Sequence, residues 1–316
     1  MKPEKTGTKV QIVQVDKRSE GQRLDNFLLR TMKGVPRSRV YRLVRRGEVR
    51  LNKKRAKPEQ KLSLGDKVRI PPYLGLETRA QLPISEGLRR ILEEAVIHED
   101  EQLLVINKPA GVAVHKGTGV GIGVVEAMRQ IHQRWAGLEL AHRLDRDTSG
   151  CLVLAKNVAA LRHLQDQFKQ KSVDKTYLAL VHGQWPAGLT RVDAPLRRDV
   201  PTSGERIVVP SQSGKTALTR FQIEKSLPHA TLLKCSPVSG RTHQIRVHCQ
   251  VSGHSIVGDP KYGQKSGVRL LDAHKKLCLH SQAIAFSHPQ TGDSLRFTAA
   301  LDPELDSLLE ALEKSQ

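Results

Sequence analysis

The chain has 316 residues, of which 38% are hydrophobic, 27% charged and only 3% aromatic. This is a globular composition, long enough for roughly two domains. Lys and Arg number 52 against 32 Asp and Glu, a formal net charge of +20, which points to a polyanionic partner, nucleic acid ahead of a membrane surface. The scarcity of aromatics argues against recognition on many stacked rings. No apolar run approaches about 18 residues, so no membrane span is expected. The start, Met1-Lys2-Pro3-Glu4-Lys5, lacks the apolar core of a secretory signal. Cys151, Cys235, Cys249 and Cys278 are far apart and form no C-x-x-C. That usage fits reduced thiols in a cytoplasmic protein better than a disulfide frame or a zinc site.

Residues 1–20 read as an N-terminal arm. Residues 21–72 then hold 16 Lys and Arg against 4 Asp and Glu, a net charge of +12, so more than half of the excess sits in a small first unit, 21–83. Leu24, Phe27, Leu28 and Met32 fall on one face of a first helix. Pro36 interrupts it, and Ser38 is placed to cap a second helix ending at Gly47. Val40, Leu43 and Val44 share one face of that helix, with Arg39, Arg42 and Arg46 on the other. Short strands are expected at Val49/Leu51, Leu62/Leu64 and Val68/Ile70, closed by Pro71-Pro72. A charged stripe is usually a solvated face. This one has no interleaved acids, which favours phosphate contacts. The unit resembles an S4 RNA-binding domain, on Arg23-Leu24-Asp25-Asn26-Phe27-Leu28, Ser38-Arg39-Val40-Tyr41-Arg42-Leu43-Val44 and Gly47-Glu48-Val49-Arg50-Leu51-Asn52. In that family the two helices and the following hairpin present basic side chains to structured RNA.

Residues 73–83 mix Gly, Pro and polar residues without periodicity. Residues 84–95 read as the end of a linker and a short helix, capped by Ser85 and built on Leu88, Ile91 and Leu92. A larger domain follows over 96–316. Strands are expected at Leu103–Ile106, Leu152–Leu154, Tyr177–Val181, Thr231–Leu233, Ala283–Phe286 and Leu295–Phe297. Helices are expected around Leu161, Leu164 and Phe168, and around Leu305, Leu308, Leu309 and Leu312. Strands dominate and several are hairpin-linked, so the fold class is α+β. A small S4-like unit precedes a larger domain around a mostly antiparallel mixed sheet. Residues 197–215 form a polar stretch that reads as an insertion.

Several motifs fail. Ser213-Gly214-Lys215-Thr216 ends like a P-loop, but Val209 stands where Gly is required. Gly117, Gly119, Gly121 and Gly123 never give G-x-G-x-x-G. His243 and His248 lack the spacing and carboxylate of a zinc site. No metal, nucleotide or organic cofactor is expected. Helix-turn-helix, zinc-finger and basic-zipper patterns are absent, so DNA is not the expected partner.

The most informative stretch is His142-Arg143-Leu144-Asp145-Arg146-Asp147-Thr148-Ser149-Gly150. Its residue types favour a tight hydrogen-bonded loop, and both aspartates are candidate reactive carboxylates. In an anonymous loop both are more often turn or capping residues. This loop, however, is similar to the H-R-L-D-x-x-T-S-G signature of the RluA-type pseudouridine synthases. Lys175-Thr176-Tyr177-Leu178-Ala179, Gly240-Arg241-Thr242-His243-Gln244-Ile245-Arg246, Asn107-Lys108-Pro109-Ala110-Gly111 and Leu277-Cys278-Leu279-His280 continue the likeness in order over about 96–300.

The resemblance implies an isomerase of specific uridines, three of them, in 23S ribosomal RNA. It cleaves C1′–N1, turns the uracil and joins C5 to C1′. Asp145 is then the essential carboxylate, either attacking the sugar or abstracting a sugar proton. Arg246 pairs with it, and Tyr177 lies against the uracil and helps remove the C5 proton. Asp147 falls at a variable position and is structural, and His142 supports the loop. A uridine in folded RNA must be extruded to be reached. Arg143 is placed to hold the flipped nucleotide and Arg241 to contact a phosphate. The implied partner is 23S RNA or a large-subunit precursor, and the protein is expected to act as a cytoplasmic monomer. Open alternatives are a non-catalytic S4-domain assembly factor and a synthase acting on another RNA.

Overall fold

The chain divides into two units, Met1–Pro83 and Ile84–Gln316, and among the described residues two short helices and four short strands build the first. The computed structural model describes residues 9–32, 35, 37–73, 83–115, 122–199 and 207–314. Pro36, the linker at 74–82, the glycines at 117, 119 and 121, and Ser203-Gly204-Glu205-Arg206 lie outside them. In chain order the first unit holds β1 (Gln11–Gln14), α1 (Leu24–Thr31), α2 (Arg37–Arg45), β2 (Arg50–Leu51), β3 (Lys54–Arg55) and β4 (Lys67–Ile70). The helical apolar stripes meet the inward strand positions in one core that includes Leu24, Leu28, Val40, Val44, Val68 and Ile70. The sheet order is β1-β4-β2-β3.

Three local expectations need correction. Within the segment read as an N-terminal arm, Gln11–Gln14 is a strand that pairs antiparallel with β4, Gln11 opposite Ile70. Four mostly exposed residues carry too little alternation to announce a strand. Ser38 lies inside the first turn of α2, which starts at Arg37, and so is not its cap. Leu62/Leu64 forms no strand; Leu62 is buried while Leu64 is 58% exposed. The helix stripe itself is as read. Val40, Leu43 and Val44 are buried, Arg42 and Arg46 exposed, and Arg39 half-buried.

Asp25 ties the two helices together. Its buried carboxylate accepts from Arg23 Nε and Nη2 at 3.1 and 2.9 Å, from Tyr41 Oη at 2.6 Å and from the Asn26 N–H at 2.9 Å. The Arg23 guanidinium, then the Tyr41 hydroxyl, outweigh burial and hold its pKa down at about 2.

The second unit begins with α3 (Glu86–Glu94), capped by Ser85, whose Oγ accepts from the Leu88 N–H at 3.3 Å. Leu92 is fully buried in the core that includes Met128, so this helix packs within the larger unit. Then follow β5 (Val96–Glu99), β6 (Leu103–Lys108), α4 (Val124–Ile131), β7 (Glu139–Leu140), β8 (Ser149–Ala155), α5 (Val158–Gln170), β9 (Asp174–His182), β10 (Arg191–Asp193), β11 (Leu196–Asp199) and β12 (Ile207–Pro210). The chain ends with β13 (Leu218–Leu227), β14 (Ala230–Pro237), α6 (Gln244–Val251), α7 (Arg269–Ala273), β15 (Leu279–Ser287), β16 (Ser294–Thr298) and α8 (Pro303–Lys314).

A ten-stranded sheet runs β10-β13-β14-β9-β15-β8-β6-β5, with β16 beside β15 and β7 beside β8. The recorded pairings within it are antiparallel except β8 with β15. Every residue of β8 is buried. Leu152 and Leu154 enter one core, while Cys151, Val153 and Ala155 enter the other. A strand covered on both faces reads as a continuous apolar run, which is why it is legible in the sequence. At its start, Gly150 has φ +106°, and a Cβ there would stand 2.3 Å from the Ser281 carbonyl oxygen. Only glycine lets β15 approach the end of the 142–150 loop so closely. The stretch 197–215 contains a separate hairpin, β11–β12. All four cysteines are free and buried. Among the described residues no helix is long and apolar enough to cross a membrane.

Candidate active site

The 142–150 loop is anchored before it does any chemistry. His142 Nε2 accepts the Val153 N–H at 3.1 Å, and its ring stacks on Phe168 at 4.8 Å. Burial pushes its pKa down to about 3, so the ring is neutral and supports the loop. Lys108, at the end of β6, is fully buried. Its Nζ donates to the carbonyls of Pro109, Val112 and Arg146 at 2.7, 2.9 and 3.0 Å. Burial lowers its pKa to about 7, against the pull of Asp147 and Asp145. Asp147 accepts from Arg146 Nε at 2.8 Å, in keeping with a structural role.

Asp145 follows Leu144, which is buried in the core, and its side chain is 19% exposed. It faces the first turn of α6. Arg246 Nη1 lies 4.0 Å from Asp145 Oδ2, and His243 Nε2 lies 3.8 Å from the same oxygen. The expected Arg246–Asp145 pairing is therefore present at the long limit of an ion pair. The close partner is Asp259, which receives Nε at 2.7 Å and Nη2 at 2.6 Å. Asp259 is held by the Lys261 and Tyr262 N–H groups at 2.9 and 3.0 Å. Burial works against the charge on both partners. The bidentate contact outweighs it, raising the Arg246 pKa and lowering that of Asp259.

Tyr177, on β9, reaches the same cleft and hydrogen-bonds Ser281. Burial pushes its phenol up to about 12, so the hydroxyl keeps its proton at neutral pH. Arg143 and Arg241 are exposed on the rim. Arg241 Nε also donates to the Thr216 carbonyl at 3.2 Å. The cleft has a volume of about 520 Å³ and is lined by Arg143, Asp145, Tyr177, Arg241, His243 and Arg246 among others. It is of a size to take one nucleotide. Arg39, Arg42 and Arg46 belong to the first unit and are not among its lining residues.

His243, Asp259 and Tyr262 are functional candidates that the sequence reading missed. His243 stands in the family-like motif of the sequence without a role of its own. Asp259 and Tyr262 sit in a loop without periodicity, and nothing in their spacing reveals that Asp259 would be buried against Arg246.

A carboxylate in a loop faces a buried arginine on α6 across a cleft, and comparison with known proteins gives the class. A family model described as RNA pseudouridylate synthase matches residues 102–251, and one described as S4 domain matches residues 22–68. The chain belongs to the RNA pseudouridylate synthase family. It is 48% identical to a Salmonella typhi protein named ribosomal large subunit pseudouridine synthase C, over 99% of each chain. It is 47% identical to the protein of the same name from Escherichia coli, over 97% of this chain and 98% of that one. Among solved structures, human RNA pseudouridylate synthase domain containing 4 superposes with a TM-score of 0.60 at 25% identity, covering 72% of this chain and 96% of that one. The likeness to RluA-type pseudouridine synthases is thus borne out.

Proposed function

We propose that this chain converts specific uridines, three in number, of 23S ribosomal RNA to pseudouridine. The observation that carries the substrate is identity of 47–49% along nearly the whole length of enzymes named for the ribosomal large subunit. The reaction breaks C1′–N1, turns the uracil and joins C5 to C1′, with loss of the C5 hydrogen. It needs a carboxylate, a path for one proton and a pocket that keeps the detached base.

In this reading Asp145 is the reacting carboxylate, attacking C1′ or abstracting a sugar proton. Arg246 orients it, with Asp259 holding the guanidinium in place. Tyr177 packs against the uracil and its hydroxyl helps remove the C5 proton, which leaves to solvent water. Arg143 holds the extruded nucleotide and Arg241 a neighbouring phosphate. Arg39, Arg42 and Arg46 grip the phosphates of a structured RNA region outside the cleft. The enzyme acts as a monomer in the cytoplasm, on 23S RNA or a large-subunit precursor. The test is a pseudouridine map of 23S RNA from cells with and without the gene, made by carbodiimide adducts and primer extension. Loss of a small set of stops, restored by the wild-type gene, is expected. An unchanged map would refute the substrate.

A further inference from the structure

His243 lies beside Asp145 and is backed by Tyr262 and the Val208 N–H of β12, and the reaction as described leaves these groups without a role. The Val208 N–H donates to Tyr262 Oη at 2.9 Å, and Tyr262 Oη lies 2.8 Å from His243 Nδ1. We propose that Tyr262 fixes His243 as its Nε2–H tautomer, so that His243 presents an N–H to the Asp145 carboxylate and acts as its positioning residue. The proposal rests on the reading of Asp145 as the reacting carboxylate.

Proton accounting gives the direction. A backbone N–H can only donate, so the phenol oxygen is the acceptor in the Val208 contact. The phenol has one proton of its own, and His243 Nδ1 is the acceptor within reach. Were Nδ1 protonated, the phenol oxygen would receive two donors and its own proton would lose that acceptor. With Nδ1 accepting, every group is satisfied, and the ring's single N–H sits on Nε2. That nitrogen faces Asp145 Oδ2 at 3.8 Å. The opposite tautomer would set a lone pair against a carboxylate oxygen. The separation exceeds a hydrogen bond in the open site, where such contacts are commonly long and tighten with substrate.

Two further observations agree. His243 adopts left-handed backbone, φ +53° and ψ +21°, at the N-cap of α6, yet its side chain makes no cap. A non-glycine residue held in left-handed backbone, its ring engaged by Tyr262 and not by the helix N-terminus, fits a functional position. The ring is also neutral. Burial lowers its pKa, reinforced by Arg246 and Lys261 and opposed by Asp145 and Asp259. The Tyr262 ring meets His243 edge-on at 5.5 Å and lies 5.1 Å from the Arg246 guanidinium carbon. One phenol therefore orders both groups that face Asp145.

The direct test is two-bond nitrogen–proton correlation NMR of the full-length, nitrogen-15-labelled enzyme near neutral pH. The His243 signals are assigned by their loss in His243→Gln. The Nε2–H pattern is expected in the wild type and a mixture of tautomers in Tyr262→Phe. In turnover, Tyr262→Phe should lower kcat by about 10- to 100-fold, with KM for the RNA within about twofold, the pattern of a lost orienting partner. A purely structural tyrosine would lower thermal stability and leave kcat per folded enzyme unchanged. An Nδ1–H tautomer or an imidazolium in the wild type would overturn the proposal, as would wild-type kcat in folded Tyr262→Phe. The spectrum reads the enzyme alone, so failure of the RNA assignment would show separately, as a wild type that makes no pseudouridine.

Discussion

The Arg246 guanidinium meets the Asp259 carboxylate edge to edge, at 2.7 and 2.6 Å, and turns its remaining Nη1 toward Asp145. Asp259 therefore decides where the charge of Arg246 points. Both partners are buried, at 2% and 7% exposure, so removing one strands the other without its counter-charge. Asp259→Ala should destabilise the fold by about 3–5 kcal/mol, and Arg246→Ala likewise. The double variant should lose clearly less than the sum, because the stranded charge is gone. Denaturant titration of the three variants measures this, and strictly additive losses would contradict it.

This pair also marks where sequence reading stops. The central strand β8, the α5 and α8 stripes and the Arg39/Arg42/Arg46 face were legible because burial imprints a period on residue type. Asp145, Tyr177 and Arg246 were legible only through motif likeness. Their nearest partners were not. Asp259 and Tyr262 follow Arg246 by a loop of irregular backbone, and their contacts are set by tertiary packing. Strand Gln11–Gln14 escaped notice because one short, mostly exposed edge strand has no face to bury. Ser38 stands two residues past the cap position because helix starts are softer than helix faces.

Tyr177 makes a separable prediction. Its phenol is protonated at neutral pH, so it guides the C5 proton toward solvent by hydrogen bonding and does not act as a free phenolate base. Tyr177→Phe keeps the ring and removes the hydroxyl. It should lower kcat by about 100-fold with KM little changed. Tyr177→Leu should raise KM as well, by loss of the ring against uracil. Steady-state kinetics on a 23S fragment would show this. A wild-type kcat in Tyr177→Phe would remove the hydroxyl from the reaction.

The first unit carries an acid-sensitive link. Asp25 has a folded pKa of about 2, set chiefly by Arg23 and Tyr41, below the unfolded value of about 3.9. Its contribution is thus fully present above about pH 4 and is lost as pH falls from there through about 2. Amide hydrogen exchange across α1 and α2 should show this loss in the wild type. Asp25→Asn should be less protected at neutral pH and have a shallower dependence over the acid range. Equal slopes in the two proteins would contradict the assignment.

Arg42 on α2 and Arg46 just after it are exposed, so their substitution tests RNA contact with little cost to the fold. Arg42→Gln and Arg46→Gln should each weaken RNA binding and reduce the salt slope by about one released ion. Binding curves at several salt concentrations measure both. Unchanged affinity and slope would take the stripe out of the interface.

The most direct measurement is tritium release from 23S RNA carrying uridine labelled at C5, comparing the wild type with Asp145→Asn. Each pseudouridine formed frees one C5 hydrogen, so release counts turnover. Release by the wild type and none by Asp145→Asn, with RNA affinity within about twofold, is the expected result, because the variant loses the reacting carboxylate and keeps the binding surface. Comparable release by both proteins would contradict the role given to Asp145.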